Sequence, residues 1–300
     1  MPQGDLWGGL SPDVEKLPQR SFVLICAASQ RRRKEISMRI LVTGPRGFAG
    51  ARIMDELGRD AIPAPSLRST DEEGIKRMVD EAQPELIIHT AAMSDIPTCE
   101  NDPDGSYYAN VKVPVWLART GIKCVMFSTD QVYSGCAGED PYAEEETAPS
   151  NLYSHHKLEM EQRTLDINPD TVHLRATWMY DMPKYGVPNR GNFLVNMLRQ
   201  SDIAFSSTQH RAVTYVREVS GWIRQTAHLP GGAYNYGSEN DLTMLETAEW
   251  LKAELDLPVR LQDVGPRHHL WMDCSKIKKC GINFCSTIDG LQKCISDYAL

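Results

Sequence analysis

The sequence has no closely spaced cysteine pair, no long apolar run and no excess of basic charge. Its eight cysteines are scattered through 300 residues, and a chain of this length needs no disulfide framework, which predicts reduced thiols. No apolar run approaches the roughly 18 to 20 residues that cross a bilayer. Lys and Arg number 32 against 40 Asp and Glu, a net charge of −8, whereas proteins that bind nucleic-acid phosphates carry the opposite balance. We therefore expect a soluble, cytoplasmic protein with neither a membrane nor a nucleic-acid partner.

The composition that is present is typical of a folded globular protein. Apolar residues make up 41% of the chain and charged residues 24%, which is too apolar for a disordered protein. The sequence shows no internal repeat and no low-complexity linker. At roughly 150 residues per domain, its length predicts one large domain or a domain with a smaller partner.

The first 37 residues differ from the rest because they show no clear periodicity. Their short apolar stretch, 22–28, precedes the basic run 31–34, whereas a secretory signal has its positive residues first. An apolar strand begins directly afterwards at Met38. We expect residues 1–37 to be a leader that is disordered or that precedes a natural start at Met38. A nuclear or membrane address in the basic run is the alternative.

From Met38 onward, runs typical of buried strands alternate with helical periodicity. Residues 39–43 form an apolar strand, and residues 47–57 place small or apolar side chains on one helical face. Thr70 and Glu73 have the spacing of a capping box at the start of the next helix. Further strands are predicted near 86–88, 124–127, 172–174, 214–216 and 259–261, and further helices near 107–117, 151–165, 193–198, 217–228 and 243–255.

This alternation predicts an α/β protein with a Rossmann-type doubly wound parallel sheet. Residues 38–175 are expected to form an NAD(P)-binding Rossmann domain. Residues 176–300 are expected to form mainly a smaller C-terminal α/β substrate-binding lobe, with some segments returning to the Rossmann domain. Because no linker separates the two parts, we expect them to pack without a clean boundary.

A glycine-rich turn connects the first strand to the first helix. Its sequence is Gly44-Pro45-Arg46-Gly47-Phe48-Ala49-Gly50, and such a turn lets the backbone approach a pyrophosphate at a helix N-terminus. Three glycines can also mark an ordinary turn, but the position after an apolar strand favours dinucleotide binding. Arg46 is a candidate for the 2′-phosphate of NADP, or else a solvated surface residue. The turn predicts NADPH as cofactor, with NADH left open.

Tyr153 and Lys157 are four residues apart and therefore share a face of the predicted helix. Two other Tyr and Lys pairs have this spacing, starting at Tyr108 and Tyr180. Tyr108 lies ahead of the strand that carries the partner hydroxyl, and Pro183 argues against a helix from Tyr180 to Lys184. Tyr153 follows that strand, which ends at Thr129. In that setting Lys157 would lower the pKa of Tyr153 from about 10 toward neutrality, and the phenol would exchange a proton with a carbonyl oxygen.

The chain from Met38 to Lys157 resembles the extended short-chain dehydrogenase/reductases, and within them the dTDP-4-dehydrorhamnose reductase group. The likeness rests on Phe127-Ser128-Thr129-Asp130, Glu146-Thr147-Ala148-Pro149, Asn151-Leu152-Tyr153, Lys157-Leu158-Glu159 and Leu174-Arg175-Ala176-Thr177-Trp178. A weaker similarity at Met272-Asp273-Cys274-Ser275-Lys276-Ile277 extends it over nearly everything after residue 38. Pro266-Arg267, ahead of that segment, resembles the regulatory β subunit of methionine adenosyltransferase, which has the same fold.

The resemblance assigns roles to residues that spacing alone leaves open. It implies that Thr129, Tyr153 and Lys157 are the catalytic trio. The residues implied to bind the cofactor are Gly44, Arg46, Gly47, Phe48, Gly50, Thr90, Ala91, Ala92, Tyr153 and Lys157. The residues implied to bind the substrate are Ser128, Trp178 and Arg211. Arg211 would pair with nucleotide phosphates, for which a guanidinium fork is well suited, or lie on the surface.

Several positions depart from the family pattern. Gln131 stands where the family has an aromatic residue, Arg68 where it often has Asp near the adenine, and Arg211 and Val213 interrupt its Gly-x-Pro segment. These changes affect the substrate and the cofactor contacts and leave the trio intact.

The C-terminal cysteines and histidines raise the question of a zinc site. No two of Cys274, Cys280, Cys285 and Cys294 have the close spacing of a structural site, and His268 and His269 lie together before them. We therefore predict buried or surface side chains and no metal.

Two functions from different classes agree with these residues. The first is an NADP(H)-dependent reductase of a 4-keto nucleotide sugar, with Tyr153 as proton donor and a homodimer left open. The second is a non-catalytic NADP-binding subunit of the methionine adenosyltransferase β type. A nucleotide-sugar epimerase or dehydratase is a further alternative, although Asp130-Gln131 supplies only half of the acidic pair that a dehydratase uses.

Overall fold

Six parallel strands form the central sheet of the computed structural model, which describes residues 38–184 and 191–300. The predicted leader, 1–37, lies outside the described residues. The strands are β1 (Ile40–Thr43), β2 (Ala61–Pro63), β3 (Leu86–His89), β4 (Cys124–Thr129), β5 (Val172–Ala176) and β9 (Gly232–Tyr236), in the order β2-β1-β3-β4-β5-β9. This is the Rossmann-type α/β fold that the alternation predicted.

Helices cover the sheet, and those at Ile96–Asn101, Pro103–Tyr107, Ser275–Lys279 and Thr287–Tyr298 were not predicted from the sequence. The helices are α1 (Phe48–Leu57), α2 (Glu72–Ala82), α3 (Ile96–Asn101), α4 (Pro103–Tyr107), α5 (Val113–Arg119), α6 (Leu152–Ile167), α7 (Phe193–Arg199), α8 (Val216–Gly221), α9 (Ile223–Thr226), α10 (Met244–Glu254), α11 (Ser275–Lys279) and α12 (Thr287–Tyr298). A π-helical turn over Tyr108–Lys112 joins α4 to α5.

Burial explains why the strands form where they do. Every residue of β1, β3, β4 and β5 is buried, as expected of parallel strands covered on both faces. The predicted capping box at Thr70 is wrong, because α2 is capped by Asp71, whose carboxylate accepts from the Gly74 N–H at 2.7 Å. An Asp at this position also interacts favourably with the positive end of the helix dipole.

The C-terminal part adds two small sheets and returns one strand to the main sheet. β6 (Trp178–Tyr180) pairs with β8 (Val213–Tyr215), and β7 (Asp202–Phe205) pairs with β10 (Arg260–Asp263). β9 completes the main sheet beside β5, while the division near residue 175 stays a prediction. Within the described ranges, every helix is too short or too polar to cross a bilayer.

Candidate active site

The carboxyl ends of β1, β3 and β4 lie side by side at one edge of the sheet, because the three strands are parallel neighbours. Ligands of open parallel sheets bind at this edge. Gly44 follows β1, Thr90 follows β3 and Thr129 ends β4. The fold therefore brings the predicted cofactor turn and the predicted catalytic hydroxyl to the same edge.

The glycine turn leaves no space for a side chain at Gly44 or at Gly50. Gly44 has a φ of +65°, and a Cβ added there would lie 2.9 Å from the Ala91 nitrogen. A Cβ on Gly50 would lie 2.1 Å from the Gly44 carbonyl oxygen. The Gly47 N–H donates to that same oxygen at 2.8 Å, and Gly47 is the N-cap of α1. The turn is therefore a backbone cradle at a helix N-terminus, which is the arrangement that a pyrophosphate requires.

Thr90 fixes the next strand end against this turn. Its hydroxyl donates to the Thr43 carbonyl oxygen at 2.7 Å. Ala91 is half-buried and Ala92 is exposed, so both border the same edge of the sheet. The structure thus brings these residues together with the glycine turn, and their contact with a cofactor stays a prediction.

Two exposed guanidinium groups follow the strands nearest the glycine turn. Arg46 is exposed within the turn, and Arg68 is exposed beyond β2, whose carboxyl end lies beside β1. Residues 61–68 contain no acidic residue. Phe48 is half-buried, and the Arg52 guanidinium lies 4.3 Å from the centre of its ring. The charges around the turn therefore favour an anionic group over a ribose hydroxyl.

Tyr153 is presented to the end of β4 by the first turn of α6. The helix begins in a capping box, in which the Asn151 side chain accepts from the Ser154 N–H at 2.9 Å and the Ser154 hydroxyl accepts from the Asn151 N–H at 3.2 Å. Tyr153 is buried, and the Thr129 side chain is close enough to oppose the rise in its pKa that burial causes. The Thr129 hydroxyl itself donates to Asp130 Oδ1 at 3.3 Å. Two members of the predicted trio therefore lie beside each other.

Lys157 is buried near Tyr153 and Thr129, but the pKa of Tyr153 is not lowered as predicted. Burial raises the pKa of Tyr153 above its usual value of 10, and the Thr129 side chain only partly opposes this rise. Lys157 Nζ donates to the Phe127 carbonyl oxygen at 2.6 Å. The predicted lowering of the Tyr153 pKa toward neutrality is wrong, because desolvation of the phenolate is the largest influence and Lys157 is not among the groups that oppose it. Tyr153 is a protonated phenol, the form that can donate a proton.

Ser128 does not face the trio. Its hydroxyl donates to Glu161 Oε1 at 2.5 Å, and Glu161 forms a buried ion pair with Arg175 at 2.6 Å. Arg175 also donates to the Tyr133 hydroxyl at 2.9 Å. The Ser128 hydroxyl is thus engaged with Glu161 inside the fold, and its contact with a substrate stays a prediction.

Arg211 lies close to the trio through its contact with Asp130. Its guanidinium donates to both carboxylate oxygens, at 2.9 and 3.3 Å, and lies 5.5 Å from the centre of the half-buried Trp178 ring. Burial raises the pKa of Asp130, and the Arg211 guanidinium opposes this. Trp178 and Arg211 therefore form one wall beside Thr129. Asp130 is charge-paired, which weakens its assignment as the acid of a dehydratase.

The two other Tyr and Lys pairs have structural positions. The Tyr108 hydroxyl accepts from the Thr70 N–H at 2.9 Å and donates toward the Leu67 and Thr70 carbonyl oxygens. Tyr180 lies in strand β6 and Lys184 lies outside any helix, so the two share no helical face, as Pro183 indicated. The structure therefore favours Tyr153 and Lys157 as the functional pair.

The C-terminal cysteines and histidines do not converge on one point. In the part of the chain that the structure describes, no group of three His, Cys, Asp or Glu side chains could hold a metal ion. The cysteines of this part are free thiols, and Cys274 and Cys294 are buried.

Glu161 and Arg175 were missed by the sequence interpretation although the sequence carries a signal for each. Glu161 follows Lys157 by four residues, the same spacing that joins Lys157 to Tyr153. Arg175 is a charged residue inside an apolar strand, and such a residue needs a buried partner. The identity of that partner depends on the tertiary structure.

Comparison with known proteins gives one matching family and relatives of two kinds. Residues 38–269 match the RmlD substrate binding domain family. A dTDP-4-dehydrorhamnose reductase from Mycolicibacterium smegmatis is 29% identical over 155 residues, which are 48% of this chain and 47% of that protein. The aligned part thus spans about half the length of that relative.

The other comparisons span more of the chain. Methionine adenosyltransferase 2 subunit beta from Xenopus laevis is 26% identical over 280 residues, covering 82% of this chain and 83% of that protein. The crystal structure of dTDP-4-dehydrorhamnose reductase from Bacillus anthracis, in complex with NADP, superimposes with a TM-score of 0.77. It is 23% identical, and the match covers 87% of this chain and 100% of that one.

Proposed function

From the RmlD substrate binding domain family, to which this chain belongs, we propose that it is an NADPH-dependent reductase of a 4-keto nucleotide sugar. The observation that carries the proposal is the buried Tyr153 phenol beside Thr129, at the sheet edge that also holds the glycine turn. The relatives named as dTDP-4-dehydrorhamnose reductases support this reaction class. A cytoplasmic location and a homodimer belong to the same proposal.

The chain supplies a proton donor and a holder for the reacting oxygen. NADPH, when bound, supplies the hydride. The Thr129 hydroxyl donates a hydrogen bond to the sugar carbonyl oxygen, and the Tyr153 phenol transfers its proton to that oxygen as negative charge develops. Because burial raises the pKa of Tyr153, the phenol keeps its proton until an alkoxide is present to accept it.

Lys157, Trp178 and Arg211 complete the proposed site. Lys157 lies one helical turn beyond Tyr153 and donates to the backbone of β4, from where its positive charge can anchor the cofactor ribose. The Trp178 ring offers a flat apolar wall to the sugar. Arg211, held by Asp130, retains donors for a phosphate or hydroxyl of the substrate.

The direct test uses purified full-length protein, NADPH and dTDP-4-dehydrorhamnose. We expect NADPH oxidation that depends on the keto sugar. Binding of NADPH without reduction of this or other 4-keto nucleotide sugars would overturn the assignment as a reductase.

Cofactor choice gives a second test, at Arg46 and Arg68. We expect wild type to bind NADPH more tightly than NADH, because both guanidinium groups are exposed near the turn and residues 61–68 lack a carboxylate. A hydrogen bond to a charged group contributes roughly 1.5 to 3 kcal/mol, or about ten- to a hundredfold in affinity. Titration of Arg46→Ala and Arg68→Ala with both cofactors should reduce the NADPH preference in at least one variant. An unchanged ratio in both would contradict the prediction.

A second candidate function is a subunit of the methionine adenosyltransferase β type. It is favoured by the alignment of 280 residues to the Xenopus laevis subunit, which covers far more of the chain than the Mycolicibacterium smegmatis reductase does. Mixing the chain with a methionine adenosyltransferase catalytic subunit distinguishes the two. A stable complex whose kinetics differ from those of the catalytic subunit alone, together with no keto-sugar reduction, would favour this candidate.

A further inference from the structure

The buried face of α6 is unusually polar for a helix packed on a central sheet. Tyr153, Lys157 and Glu161 follow one another at intervals of four residues, and all three are buried, with at most 7% of each exposed. Burial of two ionisable side chains on one face is costly unless each has a partner. The partners lie on the neighbouring strands β4 and β5.

Three consecutive residues of β4 meet these three helical residues one for one. The Phe127 carbonyl oxygen accepts from Lys157 Nζ at 2.6 Å, and the Ser128 hydroxyl donates to Glu161 at 2.5 Å. The Thr129 side chain lies close to the Tyr153 phenol. Polar contacts therefore set the position of α6 along β4, and the contact of Glu161 is the one furthest from the reacting groups.

We propose that Glu161 is a positioning residue that holds Lys157 as an ammonium and fixes the end of β4 on which Thr129 lies. It fixes the end of β4 through its hydrogen bond with Ser128. It stabilises the ammonium through its negative charge, which lies one helical turn from Lys157. Glu161 is itself held by Arg175, whose Nε and terminal nitrogen donate to the two carboxylate oxygens at distances of 2.6 to 3.2 Å. The effect of Glu161 on catalysis rests on the proposed reductase function, whereas its effect on the charge of Lys157 does not.

The groups around Lys157 leave Glu161 as its main source of negative charge. His89 on β3 and His173 on β5 face it, and burial lowers the pKa of these imidazoles to about 3 and about 4, so they are neutral near pH 7. Cys99 on α3 is a thiol whose pKa is raised by burial. Burial lowers the pKa of Lys157 to about 8, and the Glu161 carboxylate opposes this lowering.

The charge of Glu161 is tested by titrating Lys157 itself. In full-length protein labelled with ¹³C-lysine, the Lys157 NMR signal is identified by its loss in Lys157→Arg. We expect Glu161→Gln to lower the pKa of Lys157 by about one pH unit or more, since removing a carboxylate one helical turn away destabilises the ammonium. Glu161→Asp should restore most of the difference.

Glu159→Gln is the matched control, because Glu159 lies on the same helix but is only half-buried, and its carboxylate is paired with Arg163 at 3.0 Å and accepts from the Tyr107 hydroxyl. It should leave the Lys157 titration unchanged. Glu161→Gln leaves Arg175 buried without its ion pair, so the double variant Glu161→Gln/Arg175→Gln provides a neutral pair that can still form hydrogen bonds. An unchanged Lys157 pKa in either folded variant would overturn the proposal. Failure of both to fold would also overturn it, by showing a purely structural role.

Activity measurements separate this proposal from the proposed function. If the protein reduces keto sugars, the loss of turnover at high pH should begin at lower pH in Glu161→Gln than in wild type, while Glu159→Gln should match wild type. If wild type reduces no keto sugar but the Lys157 titration shifts as expected, the reductase function fails and the role of Glu161 stands. A titration shift without any change in the pH profile of an active enzyme would overturn the catalytic part.

Discussion

Replacing Tyr153 by Phe is expected to lower turnover by about 10²- to 10⁴-fold while NADPH still binds. The variant keeps the buried ring and removes the group that protonates the alkoxide, and general acid catalysis contributes a rate factor of that order, roughly 3 to 5.5 kcal/mol in the barrier. Because Tyr153 is buried, the Phe ring is expected to occupy the same space. The assay is NADPH oxidation with dTDP-4-dehydrorhamnose, run beside a cofactor titration.

Two other tyrosines serve as controls for this substitution. Tyr180→Phe should be nearly neutral, because the Tyr180 hydroxyl is buried with no hydrogen-bond partner in the described ranges. Tyr108→Phe loses hydrogen bonds that hold the residues around Thr70, so it should lower stability by about 1 kcal/mol and change turnover only a few-fold. If Tyr108→Phe were as damaging to turnover as Tyr153→Phe, the active site would be wrongly placed.

Replacing Gly50 by Ala is expected to weaken NADPH binding and to destabilise the fold. The new Cβ would lie 2.1 Å from the Gly44 carbonyl oxygen, which is backbone and cannot rotate away, so the turn must open. Overpacking of this kind costs about 1 to 3 kcal/mol, which corresponds to roughly five- to 150-fold in the cofactor dissociation constant if the cost falls on the bound state. Thermal unfolding and NADPH titration measure the two effects.

Gly221→Ala is the matched control for this test. Gly221 also lies in a helix, α8, but a Cβ there would have nothing within 4 Å. Because Ala has the higher helix propensity, by up to about 1 kcal/mol, Gly221→Ala should leave stability unchanged or raise it, and leave cofactor affinity unchanged. Equal behaviour of the two variants would show that the glycine turn tolerates a side chain, contrary to its proposed role.

The sequence by itself determined the features of this protein that depend on neighbouring residues. The apolar runs at residues 39–43 and 124–127 predicted β1 and β4 because parallel strands are buried on both faces. The glycine turn followed from its place between a strand and a helix. The shared face of Tyr153 and Lys157 followed from the helical repeat, and Thr129 from the position of a hydroxyl at the end of a strand.

Only the tertiary structure decided which groups are desolvated and which distant charges meet. Arg211 pairs with Asp130, 81 residues away in the chain, and Arg175 meets Glu161 across the contact of β5 with α6. The direction of the pKa shift of Tyr153 was predicted wrongly. Sequence spacing shows that a positive charge is near the phenol but does not show how completely water is excluded from it. Desolvation depends on every element packed around a group, and no local stretch of sequence contains that information.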